Sequence, residues 1–329
     1  MTRSIRFHAF CSAKGGVGKS TLAVMSASWL AEHDRSVVLL DVDLTGNSLA
    51  DGLQLCAPEV ALLHDGTMDL LAPPTGRYLS RVETVSLRDQ RQWNAGSETV
   101  MPPPFLNDAL TFPGTQDGRE CRFDALLWQH ETQPGMRVLP VSSLRRDVTV
   151  ALGWLYREEH FRWARRFAWI LYALAIQIEH LSDVVIDLPP GLFGFSQATL
   201  SILAVLSGSV ATPRGFPPFS ELGSRIEVNP FLVTTPDGNA LVVSVEEYLR
   251  LRPQLGNLEL VVNRAYDGVR TAVDELEARF GAQASALELA RSWRSVEESQ
   301  PIGRLFRRGS MEVCGPQDAL ARTLRLSDG

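Results

Sequence analysis

Lys14-Gly15-Gly16-Val17-Gly18-Lys19-Ser20, followed at once by Thr21, gathers two lysines, three glycines and two hydroxyls into eight residues. Glycines let backbone N–H groups turn inward around anionic oxygens, and a helix starting there adds partial positive charge. The chemistry indicated is phosphate binding. In it, Lys19 would reach the β- and γ-phosphates of a nucleotide and the Ser20 hydroxyl would take one Mg²⁺ position. Such a loop must sit between a strand and a helix. Residues Ile5 to Ala13 read as a buried strand, and Leu22, Val24, Met25, Ala27, Trp29 and Leu30 recur at helical spacing.

Further chemistry lies at the ends of other apolar runs. Val37 to Asp43 is continuously apolar until Asp41 and Asp43, as expected of a parallel strand covered on both faces. Ligands in open α/β sheets bind at the carboxyl ends of strands, on the rim that carries the glycine loop. Read alone, Asp41 and Asp43 are solvated strand-end acids; beside this loop they are candidates for the water and metal chemistry. Asp183-Val184-Val185-Ile186-Asp187 leads into Leu188-Pro189-Pro190-Gly191, and Leu258 to Arg264 is an apolar run ending in Asn263-Arg264.

One residue departs from the usual phosphate loop: Ala13 replaces its first glycine, with Lys14 after it. The two-lysine form K-G-G-V-G-K-[ST] resembles the deviant loop of the MinD/ParA group of P-loop ATPases. The segment after Asp43 is similar to the group's D-x-D-P-Q-G-N, keeping Gly46 and Asn47 but carrying Leu44 and Thr45 in place of proline and glutamine. Asp187 to Gly191 resembles D-x-P-P-G, Val233 to Pro236 resembles V-T-T-P, and Met136 to Val141 resembles a strand ending in L-P-A.

The resemblance implies a P-loop NTPase fold of class α/β, a mostly parallel sheet between helices on both faces. It implies ATP/ADP and Mg²⁺ as cofactors, with Gly15, Gly16, Val17, Gly18, Lys19, Ser20 and Thr21 around the phosphates. Lys14 would act across a homodimer interface, and Asp43 would orient the attacking water. Asp187 would hold Mg²⁺ through water with Ser20, Asp41 standing behind them. Gly191 would bring a free N–H to the γ-phosphate. Asn263, with Arg264, would read the adenine edge, and no N-K-x-D element favours guanine. The base-side strand falls at Ser285 to Ala290, without the proline usual there.

Bulk properties fit one soluble domain over residues 1–329, with insertions expected at about 51–135 and 209–229. The first insertion, rich in Pro-Pro and Pro-Gly pairs, reads as a partner or lid element, or equally as a solvated loop. Inside it, helices are expected near Phe105 to Leu110 and Asp124 to His130. A long aromatic helical tract follows from about Asp147 to Leu181, its aromatics in the core and Arg162, Arg165 and Arg166 on a solvated face. A net charge of −6 argues against a chain built wholly around nucleic acid. Arg304, Arg307 and Arg308 leave nonspecific DNA binding open, an ordinary solvated face being the commoner meaning of such a cluster. Four cysteines without a CxxC pair fit a reducing, cytoplasmic setting. Phe167 to Ile178 is too short to span a bilayer, and Thr323 to Gly329 is too short and polar for a membrane-targeting tail.

The function expected is therefore an ATP-binding and hydrolysing, ATP-dependent dimerising switch that positions, partitions or regulates a partner complex. Turnover would be slow and quickened by a protein partner, for which the insertions are the candidate docking surface. The alternatives are a low-turnover nucleotide-bound interaction module and a metal-cluster maturation ATPase, which the cysteine spacing disfavours.

Overall fold

A computed structural model describes residues 4–44, 49, 52–53, 55–58, 60–62, 68–70, 100–101, 105–111, 126–130, 133–142, 144–156, 160–265, 294–297 and 316–326. The strands are β1 (Ile5–Cys11), β2 (Ser36–Asp41), β3 (Leu55–Cys56), β4 (Val60–Leu62), β5 (Met68–Leu70), β6 (Val100–Met101), β7 (Trp128–His130), β8 (Met136–Leu139), β9 (Leu181–Asp187), β10 (Ile226–Thr234), β11 (Glu259–Ala265) and β12 (Arg294–Glu297). The α-helices are α1 (Lys19–Glu32), α2 (Leu106–Thr111), α3 (Arg145–Tyr156), α4 (His160–Gln177), α5 (Phe195–Leu206), α6 (Gly238–Leu251) and α7 (Pro316–Thr323).

Among the described residues nine strands form one sheet in the order β12-β11-β10-β1-β9-β2-β8-β7-β3. Pairing is parallel from β12 to β8, and antiparallel where β7 meets β8 and β3 meets β7. The fold is thus the mostly parallel α/β sheet expected. β4, β5 and β6 make a separate three-stranded antiparallel sheet.

Alternation along β1 divides the core into two layers. Ile5, Phe7, Ala9 and Cys11 pack with α4, α5 and α6 on one face, while Phe10 packs with α1 and α7 on the other. Helix α1 is buried over ten of its residues, because the sheet lies under one side and α7 covers the other. Trp29 Nε1 on α1 donates to Asp318 Oδ1 on α7 at 2.8 Å.

Four expectations change. Trp128 to His130 is strand rather than helix: Trp128 and His130 point inward, Gln129 lies half-buried between them, and β8 supplies the ladder. The tract from Asp147 to Leu181 is two helices, α3 and α4. It ends at Gln177 because His180 turns left-handed (φ 63°) and Leu181 already pairs with Ser36 in the sheet. Arg166 is buried rather than solvated, its guanidinium donating to the Leu110 carbonyl at the end of α2. Residues 226–229, at the end of the second inferred insertion, already belong to β10. No helix among the described residues is long and apolar enough to cross a membrane.

Candidate functional site

The phosphate loop follows β1 directly, at the carboxyl end of a strand flanked by β9 and β10. Gly18 caps α1 in the left-handed conformation (φ 83°), and its carbonyl accepts from Leu22 N at 3.1 Å. A Cβ at Gly18 would collide with the Asn263 amide nitrogen, so position 18 admits only glycine for two reasons at once. Asn263, 3 % exposed at the end of β11, donates from Nδ2 to the Val17 carbonyl at 2.8 Å and so fixes the loop from the side.

Lys19 is buried, and its ammonium donates to Ser20 Oγ at 3.1 Å and to the Asp187 carboxylate. Register brings Asp187 there: β2 and β9 pair Asp41 with Asp187, and β1 and β9 pair Phe10 with Asp187. Nucleotide with Mg²⁺ fits this donor set. The Lys19 ammonium already stands as a cation between a hydroxyl and a carboxylate, hard oxygen donors of the kind Mg²⁺ selects.

Asp41 is wholly buried, with backbone partners on both oxygens. Asp43 N donates to Oδ1 at 3.1 Å and Leu49 N to Oδ2 at 2.8 Å. One carboxylate therefore ties together both ends of the loop that carries Asp43. Burial pushes the Asp41 carboxyl up to about 8 and the Asp187 charge adds to this, while the Leu49 and Asp43 N–H groups pull the other way.

Residues 5–92 match the family model described as ParA: NUBPL iron-transfer P-loop NTPase. A cytosolic Fe-S cluster assembly factor NUBP2 homolog of Trichoplax adhaerens is 33% identical over 163 residues, 46% of this chain and 59% of that protein. The chain spans about half the length of the curated relatives it matches. Among solved structures, a ParA family ATPase from Chlorobium tepidum aligns over 98% of this chain and 97% of its own, with TM-score 0.54 and 16% identity. The septum site-determining protein MinD of Pyrococcus horikoshii, solved complexed with Mg-ADP, aligns over 98% and 96% with TM-score 0.51 and 15% identity. The chain has the fold of the MinD/ParA P-loop NTPases.

Against the MinD/ParA-like expectations, the structure places the remaining residues as follows. Lys14, Gly15 and Gly16 are exposed on the outer side of the loop, and Thr21 is half-buried at the start of α1. Gly191 does not present a free N–H: it donates to the Ser12 carbonyl at 2.9 Å. That is a correction, and its cause is local. Gly191 is left-handed (φ 88°) and folded under the Phe193 ring, which turns its N–H toward the end of β1. Asn263 has its donor committed to Val17, and Arg264 is exposed and left-handed (φ 57°) at a bulge against β12. Thr45, Gly46 and Asn47, the base-side run Ser285 to Ala290, and Arg304, Arg307 and Arg308 lie outside the described residues.

Sequence reasoning missed Ser12 and Asp183. Ser12 is buried and receives the Gly191 N–H; its position between β1 and the loop was the only signal. Asp183, at the opposite end of β9 from Asp187, is wholly buried among Arg6, His8 and Arg35. An acid within an apolar strand, with Arg6 and His8 alternating against Phe7 and Ala9 on a neighbour, was a readable signal.

Proposed function

We propose that this chain binds and hydrolyses ATP with Mg²⁺ and uses the nucleotide as a switch that dimerises it and times its contact with a protein partner. The observation that carries the reading is the Lys19 ammonium between Ser20 Oγ and the Asp187 carboxylate, at the mouth of a left-handed glycine loop. With nucleotide bound, the phosphates would supply the negative charge that Lys19 finds in Asp187, and Asp187 with Ser20 would then hold the cation. Mg²⁺ would neutralise charge on the phosphate oxygens.

The chain's own residues do the rest. Backbone N–H groups of Gly15 to Ser20 would cradle the phosphates, with α1 behind them. Asp43, hung from Asp41 through its own N–H, would hold water in line. Gly191 would exchange the Ser12 carbonyl for the γ-phosphate, which would let the Asp187–Gly191 turn respond to that phosphate. Exposed Lys14 would reach the phosphates of a second subunit and offset charge there, as an arginine finger does. The test is mass in solution with ATP and with ADP. Asp43→Ala is expected to accumulate as an ATP-bound dimer and Lys14→Ala to stay monomeric. An Asp43→Ala protein that remains monomeric with ATP and Mg²⁺ refutes the reading.

The names of the relatives favour a second reading, iron–sulfur cluster assembly, in which the cluster is cargo. Among the described residues no group of three or more His, Cys, Asp or Glu side chains could hold a metal ion. Cys11 is fully buried and its thiol is pushed up to about 12 by that burial, which leaves it a poor cluster ligand. Iron and sulfide measured after anaerobic purification decide the point: stoichiometric cluster would replace the first reading's account of the cargo.

A further inference from the structure

The turn after Asp187 is an arch on a fixed base. Leu188 N donates to the Phe10 carbonyl at 3.1 Å, and the buried Ser196 Oγ of α5 donates to the Pro189 carbonyl at 2.8 Å. Beyond these ties the chain crosses Pro190 to Gly194 with a glycine near each end. Gly191 has φ 88°, and Gly194 has φ 56° with ψ −121°, backbone that residues with a Cβ rarely adopt. Leu192, between the glycines, packs on the core, whereas Phe193 is 69 % exposed, the barest large apolar side chain among the described residues.

Exposed as it is, Phe193 does not reach outward. Its ring folds back over Gly191, where a Cβ would lie 3.0 Å from Cδ1, 3.1 Å from Cζ and closer still to Cε1. The side of Gly191 that carries no side chain is thus filled by the ring of the residue two positions on. The N–H of the same glycine donates to the Ser12 carbonyl at 2.9 Å. Both contacts fit one backbone setting. Aiming the N–H elsewhere changes φ at Gly191, and with it the path of the chain to Phe193, so the ring and the hydrogen bond let go together.

We propose that Phe193 is a positioning residue, a latch whose ring holds the Gly191 N–H on Ser12 and so sets how readily the turn yields that N–H to a γ-phosphate. The latch rests on the ATP reading above and adds to it the group that resists the exchange. ATP has to displace the ring; ADP, lacking the phosphate that the N–H would meet, does not. Gly194 absorbs the movement, because Ser196 keeps the start of α5 on Pro189. A ring about one-third covered holds by a factor of roughly 2–5, that share of what a fully buried phenylalanine contributes. By linkage the same factor is withheld from ATP relative to ADP.

Hydrogen exchange at the Gly191 amide tests the latch without ATP, read by NMR on nucleotide-stripped full-length protein carrying nitrogen-15 glycine. Phe193→Ala is expected to speed exchange at Gly191 by ~2–5-fold, and Phe193→Tyr, which keeps the ring, to leave it unchanged. Gly208, whose N–H donates to the Val205 carbonyl at 3.0 Å at the far end of α5, is the internal reference and should not respond. Titration with fluorescent ATP and ADP analogues in Mg²⁺ is expected to show the ATP-to-ADP affinity ratio of Phe193→Ala raised by the same ~2–5-fold. Exchange at Gly191 that is unchanged in Phe193→Ala, or that rises equally at Gly208, overturns the proposal, as does an unchanged or lower ATP-to-ADP ratio. An unaltered protein that binds neither nucleotide refutes the ATP reading instead, and exchange at Gly191 then decides by itself whether the ring holds the glycine.

Discussion

Replacing Asp183 by asparagine tests whether the far end of the sheet is held by charge. The carboxylate is wholly buried and accepts from Arg6 Nε at 3.0 Å and from Arg35 Nε at 2.5 Å, with His8 Nε2 at 3.0 Å. Burial alone would raise its pKa, but His8, Arg6 and Arg35 together hold it well below the ordinary carboxylate value. Asparagine keeps the shape and removes the charge that the Arg6 guanidinium, 4 % exposed, meets in Asp183. Breaking a buried ion pair by removing one partner costs about 3–5 kcal/mol. Arg35, 19 % exposed, can shed part of its share into solvent, so the lower half of that range is expected. In urea this corresponds to a fall in midpoint on the order of 1 M at unchanged slope. The sign with pH follows from a depressed acid: the stabilisation is complete above the unfolded value of 3.8 and is lost as pH falls through the folded value. The unaltered protein should therefore weaken steeply below about pH 4, and Asp183→Asn should lack that component. A loss under about 1 kcal/mol at neutral pH, within the range of exposed pairs, would refute the reasoning.

Gly18→Ala combines left-handed backbone with a clash at Asn263 and should abolish binding of a fluorescent ATP analogue; retained affinity would mean the loop can relax. Lys19→Ala should weaken the same binding by ~100-fold or more, since Lys19 carries a charge-assisted contact to the phosphates, measurable by equilibrium titration. Cys11 should resist iodoacetamide at pH 8 in the folded protein and react only after denaturation, as mass spectrometry would show. Gly191→Ala should couple to the Ser12 contact: the variant is expected to bind nucleotide yet fail to change its mass with ATP, because the left-handed turn under Phe193 leaves no room for a Cβ.

The parts of the molecule that were legible in advance are those where local pattern and chemistry coincide. β1, α1 and β9 announce themselves through apolar runs ending in glycines or an acid, and register then places Asp41 beside Asp187. What could not be read depends on partners distant in the chain. Trp128 to His130 looks helical until β8 offers an antiparallel ladder, and Arg166 looks solvated until the Leu110 carbonyl arrives. The Gly191 N–H is similar: D-x-P-P-G says that a turn exists, whereas Ser12, 179 positions earlier, decides where its donor points. Asn263 shows the intermediate case, a residue singled out correctly whose donor serves the loop's own backbone.

The position of β1 has a consequence for how the protein is made. The strand that launches the phosphate loop is completed on one side by β9 and on the other by β10, which begins at Ile226, 215 residues after Cys11. At roughly 5–20 residues per second, a ribosome needs about 10–40 s to cover that interval. For the first 170 residues of it, until β9 begins at Leu181, the Ile5–Cys11 segment has neither neighbour to pair with, and until β10 follows it has only one. The same placement that centres the nucleotide loop in the finished sheet makes its strand an early client for chaperones.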